Sequence, residues 1–199
     1  TMCYFDAMGV GVGDYNHDGL FDMHVSNGPP GNATFRYNGN GTFTNVAVQT
    51  GTTINKECWG NDFLDYDNDG WCDLFVCAAA GIDKCDALLR NTHNNTYTNV
   101  GFGIGIRDSA LSYGLAKTDI NNDGYVDICV TMTDSNAHFY RNSGASNTWI
   151  KLRCIGVQSN KDALGTYVTV YANGLMNRQV ILGGNSYLSS SDPELIFGI

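Results

Sequence analysis

The stretch "DYDNDGWCD", residues 65–73, places four aspartates within nine residues. Carboxylates crowded in this way repel one another unless a positive charge sits among them. That charge is a substrate, a catalytic metal or a structural cation, and the rest of the chain bears on which. Two more stretches, "DYNHDGLFD" (14–22) and "DINNDGYVD" (119–127), share the pattern D-x-[DN]-x-D-G-x-x-D, spaced 51 and 54 residues apart. An internal repeat is therefore the first organising fact. Each copy has a glycine five residues upstream (Gly9, Gly60, Gly114) and a strand-like run directly downstream ("MHVS", "LFVC", "ICVT"). An asparagine at a turn follows 23 to 26 residues after the first aspartate (Asn38, Asn91, Asn142). Copies one and two close with "NGTFTNV" and "NNTYTNV". Each unit reads as a small antiparallel sheet with Gly- and Asn-rich turns, and no segment carries a helical period.

Oxygen ligands at positions 1, 3 and 5 of a tight loop converge on one point, and glycine at position 6 permits the turn. A backbone carbonyl at 7 and a carboxylate at 9 complete the set of oxygens that a hard cation such as Ca²⁺ prefers. The expected ligands are Asp14, Asn16, Asp18, Leu20 and Asp22 in loop one. In loop two they are Asp65, Asp67, Asp69, Trp71 and Asp73, and in loop three Asp119, Asn121, Asp123, Tyr125 and Asp127. Leu20, Trp71 and Tyr125 would contribute main-chain oxygens. An EF-hand needs Glu at position 12 and a helix after it; here position 12 is Val25, Val76 and Val130, each within a strand-like run. Paired catalytic carboxylates are the competing chemistry, but an enzyme rarely triplicates its active site along a repeat. Plain β-turns are the bland alternative, and three copies with the same acidic positions outweigh it. The loops carry three, four and three carboxylates, half of the 20 acidic residues, so three Ca²⁺ would take the formal charge from -9 to -3.

That net charge leaves no basic patch for nucleic acid. The longest apolar run, "LFVCAAAGI" (74–82), is about half of what a bilayer requires. The chain opens on Thr1 without a visible signal peptide and reads as processed or excised. Seven cysteines with no zinc-type spacing point to disulfides in an exported protein, and Cys77 and Cys85 bracket a short connection that a disulfide could close.

The three loops with their strands resemble FG-GAP/VCBS repeats, the blades of integrin-α-like β-propellers. From "NTWIKLRCIGVQSNKDALGTYVTVYANG" through "GGNSYLSSSDPELIFGI", the tail resembles the ASPIC/UnbV domain of cartilage-acidic-protein-like proteins. The resemblance implies an all-β chain: three propeller-type blades over 1–146 (about 1–54, 55–108 and 109–146), an incomplete propeller, then a small β-domain over 147–199. It implies an extracellular or surface module that binds Ca²⁺, up to three ions, and has no catalytic residues. Three blades cannot close a ring, and copy three lacks the last strand, so open strand edges are expected. Those edges would pair with further copies of the chain, as an oligomer or filament. Alternatively the chain is a piece of a full propeller that binds a protein or glycan; a metal-dependent hydrolase is the remaining reading.

Sequons stand at Asn32, Asn40 and Asn94, the last two at corresponding turns of copies one and two, and read as glycosylation candidates. "GVGVG" (9–13) and "GFGIG" (101–105) do not complete a phosphate-binding pattern and read as strands with a glycine face. His17 is expected to face solvent at a non-ligand position, and Trp59, Trp71 and Trp149 are expected to serve the core.

Overall fold

A computed structural model describes residues 6–80, 85–107, 110–133 and 135–199. Each acidic loop joins the first two strands of a small antiparallel sheet. Blade one is β1 (Val10–Gly13), β2 (Asp22–Val25), β3 (Ala33–Tyr37) and β4 (Phe43–Asn45), paired in chain order. A single helical turn, α1 (Ala47–Thr50), leads to blade two: β5 (Glu57–Leu64), β6 (Asp73–Ala80), β7 (Ala87–Asn91) and β8 (Tyr97–Asn99). Blade three has β9 (Leu111–Thr118), β10 (Asp127–Thr133) and β11 (His138–Tyr140), and no fourth strand among the described residues. The regular structure of the described residues is almost all β, and none of their sheets closes on itself.

The blades stack face to face, which explains the hydrophobic pattern of β6. Its residues Leu74 and Val76 pack with Tyr15, Val46, Phe63 and Leu89 on the blade-one side. The alternate residues Phe75 and Cys77 pack with Leu115, Ile128 and Val130 of blade three. A strand buried on both faces reads as an unbroken apolar run, and "LFVC" is one. Blades one and three each have only one covered face. The outward residues of blade one, Met23, Val25 and Phe35, stay half-buried and Phe43 is exposed, as are Ile120 and Phe139 on the far side of blade three.

After Asn147 the chain builds two antiparallel strand pairs, the inner one a hairpin. Strand β12 (Trp149–Leu152) pairs with β15 (Leu195–Gly198), and β13 (Tyr167–Ala172) with β14 (Leu175–Val180). Their core is Ala163, Ile181, Leu195 and Phe197, with Val168 and Val170 against it. Between β14 and β15 the segment 185–192 runs along the first strands of all three blades. Val10 and Ser186 exchange backbone hydrogen bonds of 3.2 and 2.9 Å. The Leu115 and Lys117 N–H groups donate to the hydroxyls of Ser189 and Ser191, at 3.2 and 3.1 Å. Asn185 Nδ2 donates to Asp62 Oδ2 on β5.

At the hub the chain's own tail supplies partners to the inner strands of blades one and three. What the arc leaves uncovered at its ends is sheet faces, and at its rim the strands β4, β8 and β11. The inner glycines follow from the same crowding. A Cβ on Gly9 would lie 2.4 Å from the Trp59 carbonyl oxygen, and one on Gly60 2.5 Å from that of Tyr113. "GVGVG" is a closely packed strand as expected, whereas "GFGIG" is not: residues Gly101–Ile104 form a 3-10 turn closed by the Ile106 N–H to the Gly101 carbonyl.

Candidate metal centre

The three acidic loops share one backbone. Position 4 (His17, Asn68, Asn122) and position 6 (Gly19, Gly70, Gly124) are left-handed in each, with φ of 58°, 55° and 58° and of 81°, 85° and 84°. Two left-handed residues flanking one aspartate curl the chain into a ring, and glycine accepts the second at no steric cost. The first aspartate then ties the ring. Asp14, Asp65 and Asp119 each accept the N–H groups of positions 5 and 6, at 2.9–3.1 Å. Position 5 closes the next turn, with Asp18, Asp69 and Asp123 accepting the N–H groups of Leu20, Trp71 and Tyr125. The aspartate at position 9 opens the following strand and pins the third: Asp22, Asp73 and Asp127 accept the N–H groups of Tyr37, Asn91 and Asn142.

The last set corrects the register read from sequence. The partner in blade one is Tyr37, not Asn38. The asparagines at this place join neighbouring blades: Asn91 Nδ2 donates to the Tyr15 carbonyl of loop one, and Asn142 Nδ2 to the Tyr66 carbonyl of loop two. Asn68 Nδ2 also reaches across, to the Gly124 carbonyl of loop three at 2.9 Å. Because these loops are held to one another, geometry at one constrains the next.

The residues fit a cation. In loop two, Asp65, Asp67 and Asp73 each bring one carboxylate oxygen within 4.8 Å of the others. Asp67 Oδ1 and Asp22 Oδ2 are buried with no hydrogen-bond partner. Asp22 is wholly buried, and the Tyr15 N–H approaches its carboxylate without closing a bond to Oδ2. An uncompensated carboxylate oxygen in the interior costs free energy that a proton or a metal ion would recover. Burial accordingly pushes Asp22 and Asp65 up to about 7, with repulsion from Asp14 and Asp18 adding to the first and from Asp67 and Asp69 to the second. Burial also raises Asp14 and Asp67, and carries Asp73 well above the usual carboxylate range.

Basic groups meet the three loops differently. In loop two the Arg90 guanidinium donates to Asp67 Oδ2 and Asp69 Oδ2, both at 2.8 Å, and His93 Nε2 lies 2.7 Å from Asp69 Oδ2. Arg36 and Arg141 occupy the corresponding places in blades one and three, but position 3 there is asparagine. Asn16 and Asn121 donate to Asp18 and Asp123 themselves, at 2.9 and 2.7 Å. In loop one, Arg178 of β14 donates to the Gly19 carbonyl and His17 Nδ1 meets the Met176 carbonyl, so neither engages a carboxylate. His17 is therefore held against the C-terminal domain with its ring edge-on to Trp71 at 4.5 Å, rather than facing solvent. In loop three Lys151 of β12 donates to Asp119 Oδ2 at 2.7 Å and to Asn122 Oδ1 at 2.8 Å.

The C-terminal domain thus touches every acidic loop. Asn177 Nδ2 donates to the Gly70 carbonyl, and the Gly198 N–H to Asp65 Oδ2 at 3.2 Å. Trp149 covers Gly124 so closely that a Cβ there would lie 1.8 Å from its Cε2. Trp149 and Trp59, which packs against Tyr113 and Tyr187 at 4.8 Å each, are structural as expected; Trp71 stacks on His93 at the rim. Between blades and domain lies a cavity of about 80 Å³ whose charged lining includes Asp62, Lys117, Lys151 and Arg178.

Three smaller expectations resolve differently. Asn32 is buried at 4% exposure and its Oδ1 accepts the Asn27 N–H, so folded protein does not present this sequon; Asn40 and Asn94 are exposed at matching turns. Cys77 and Cys85 are both free thiols rather than a disulfide, because Cys77 points into the core between blades two and three. Residues 81–84 of their connection, and Cys3, lie outside the described residues. Among the described residues no helix is long and apolar enough to cross a membrane.

Residues 14–76, from the first acidic loop to the middle of β6, match the FG-GAP-like repeat family, and residues 156–199 match the family described as ASPIC and UnbV. No curated protein matches the chain. The third acidic loop lies outside both matched ranges, yet its backbone and hydrogen bonds repeat those of the first. The chain therefore carries an FG-GAP-like repeat region followed by an ASPIC and UnbV domain, the pairing that its acidic loops and its C-terminal "DALG" and "SSSDP" segments imply.

Proposed function

We propose that this chain is a non-enzymatic, extracellular calcium-binding module in which Ca²⁺ fixes the acidic loops, and with them the seat of the C-terminal domain. One observation carries this reading: buried carboxylate oxygens at Asp22 and Asp67 close no full hydrogen bond among the described residues, with only the Tyr15 and Asp69 N–H groups approaching them, inside loops whose other carboxylates converge. A divalent ion bound there would relieve the repulsion among Asp65, Asp67 and Asp73 and remove the cost of burying Asp22 as an anion. The FG-GAP-like match supports a β-propeller-like, ligand-binding role outside the cell. Enzyme chemistry is disfavoured because the acidic loop recurs three times along the repeat with one backbone, as a building element does and an active site rarely does. The test is calorimetric titration of the full chain with calcium, paired with thermal melting in calcium and in chelator. No bound calcium and coincident melting curves would overturn the reading.

For partners, the favoured one is a second copy, meeting through sheet faces and rim strands. The apolar outer face of blade one (Met23, Val25, Phe35, Phe43) and the face of blade three with Ile120 and Phe139 are the counterparts of faces that blade two covers on both sides. Stacking one on the other would continue the interface that already joins the blades. The same two faces suit further blades of a full propeller that presents a protein or glycan site, which is the second reading. Light scattering across a concentration series separates them: concentration-dependent growth supports association between copies, and a monomer throughout supports the second. Asn40 and Asn94 are the places where a glycan would fit this extracellular role.

A further inference from the structure

The three loops share a backbone but not a charge environment, and the difference has a consequence if the calcium reading holds, on which this inference rests. In loops one and two a buried carboxylate oxygen, at Asp22 and Asp67, meets no cation and closes no full hydrogen bond among the described residues. In loop three Asp119 Oδ2, from the leading ligand position, already holds a cation: the Lys151 ammonium at 2.7 Å, whose side chain is only 16% exposed. Asn122 Oδ1 accepts from the same ammonium, and Glu194 of the C-terminal domain stands 3.6 Å behind it. The carboxylate at position 9 of loop three, Asp127, has both oxygens taken, by the N–H groups of Asn142 and Ile120. Arg90 does not play the Lys151 part in loop two. It grips the outer oxygens of Asp67 and Asp69 from the rim and leaves Asp67 Oδ1 facing inward.

We propose that Lys151 is a built-in counter-ion of loop three: calcium fills loops one and two first, and enters loop three only by displacing Lys151 from Asp119. Because Lys151 lies on β12, between Trp149 against Gly124 and the pairing with β15, displacement loosens the contact between the C-terminal domain and blade three. Loop three is then a low-affinity sensor, and the two others are structural sites. The exchange is a ligand substitution. The ammonium leaves with its proton and moves to Glu194 and solvent, and Asp119 Oδ2 becomes a calcium ligand.

The experiment uses the full chain and three readouts. Calcium calorimetry should resolve two tight sites and a third at least about tenfold weaker, the scale of one partly buried charge pair. In Lys151→Met the third site should tighten by roughly the same factor while the first two keep their affinities. Amine acetylation read by mass spectrometry should find Lys151 protected in chelator and at low calcium and modified at saturating calcium, with Lys161 modified throughout. This labelling arm needs no substitution, so it stands even if Lys151→Met folds poorly. Three equal sites in wild type, or Lys151 protection unchanged at saturating calcium, overturn the inference and leave the calcium reading intact. An absence of calcium binding altogether overturns the calcium reading and this one with it.

Discussion

Loops one and two differ by one residue that matters, and the surroundings have answered that difference. Loop two has Asp67 where loop one has Asn16, and so carries four carboxylates against three. Blade two meets the extra charge with Arg90, which forks across Asp67 and Asp69, while Arg36 at the corresponding place in blade one is exposed and makes no ion pair among the described residues. Loop one closes itself instead, Asn16 donating to Asp18. The same arginine position is thus an ion-pair donor in one blade and a solvated side chain in another, and the loop residue opposite decides which. Electrostatic roles in this arc belong to pairs and do not follow from repeat position alone.

On the calcium reading, removing the ion is the broadest way to break that comparison, because it strikes loops one and two together. A site held at about a thousand times its Kd contributes roughly 4 kcal/mol. Chelator should therefore lower the melting temperature by about 10 °C or more for a chain of this size, read by circular dichroism. Gly124→Ala should come next. Its Cβ would enter the Trp149 ring at a left-handed backbone position, so a loss of about 3 kcal/mol or more is expected in chemical denaturation. Gly19→Ala, in the same place of loop one, meets the flexible end of Met176 at 2.7 Å and should cost less. Equal losses would mean that the loops do not differ in how the C-terminal domain seats on them.

The pH response should have opposite signs with and without metal. Asp22 and Asp65 titrate near 7 in the folded chain and near 3.8 when unfolded, so the folded state binds more protons between those limits. In chelator these groups contribute a stability that is complete below about pH 4 and is lost as pH rises through 7. Melting temperature should consequently increase on acidification from pH 8 to 5. His24 opposes the trend: wholly buried and lowered to about 3, it withdraws stability as pH falls below its unfolded value of 6.5. Two aspartates outweigh one histidine down to about pH 4, where the unfolded carboxylates take up protons as well. In saturating calcium the sign reverses, since protons compete for the ligands.

The asparagine bridges should give the smallest effects. Asn142→Ala removes the bond to the Tyr66 carbonyl and should cost about 1 kcal/mol. Tyr37→Asn places the same side chain in blade one, where no earlier blade within the described residues offers a carbonyl, and should change stability by less than about 0.5 kcal/mol. A stabilising Tyr37→Asn that depends on protein concentration would instead reveal a neighbouring copy at that face.

The acidic loops, the strands after them and the identity of both regions were legible in sequence. Ligand spacing, the glycine of the turn and the unbroken run "LFVC" are local patterns with local causes. The asparagine spacing does not carry the register into copy one, because the turn spacing differs between copies and the main-chain bond to Asp22 falls on Tyr37, one residue before Asn38. Burial of Asn32 and the free thiol of Cys77 also escaped, because a sequon or a cysteine spacing says nothing about what packs on it. The partner of Asp119 was hidden for the same reason.

The sequence by itself determined that three acidic-loop blades exist and that a distinct β-domain follows them, because each depends on contacts within a few tens of residues. Only the tertiary structure decided that segment 185–192 lines the hub of the arc, across 74 residues of chain from Ser189 to Leu115. It also decided that Lys151 sits in loop three. Hydrogen bonds and ion pairs of this range leave no periodicity to read: a serine or a lysine looks the same whether it faces water or completes a strand edge, and only the packing of blades against domain chooses.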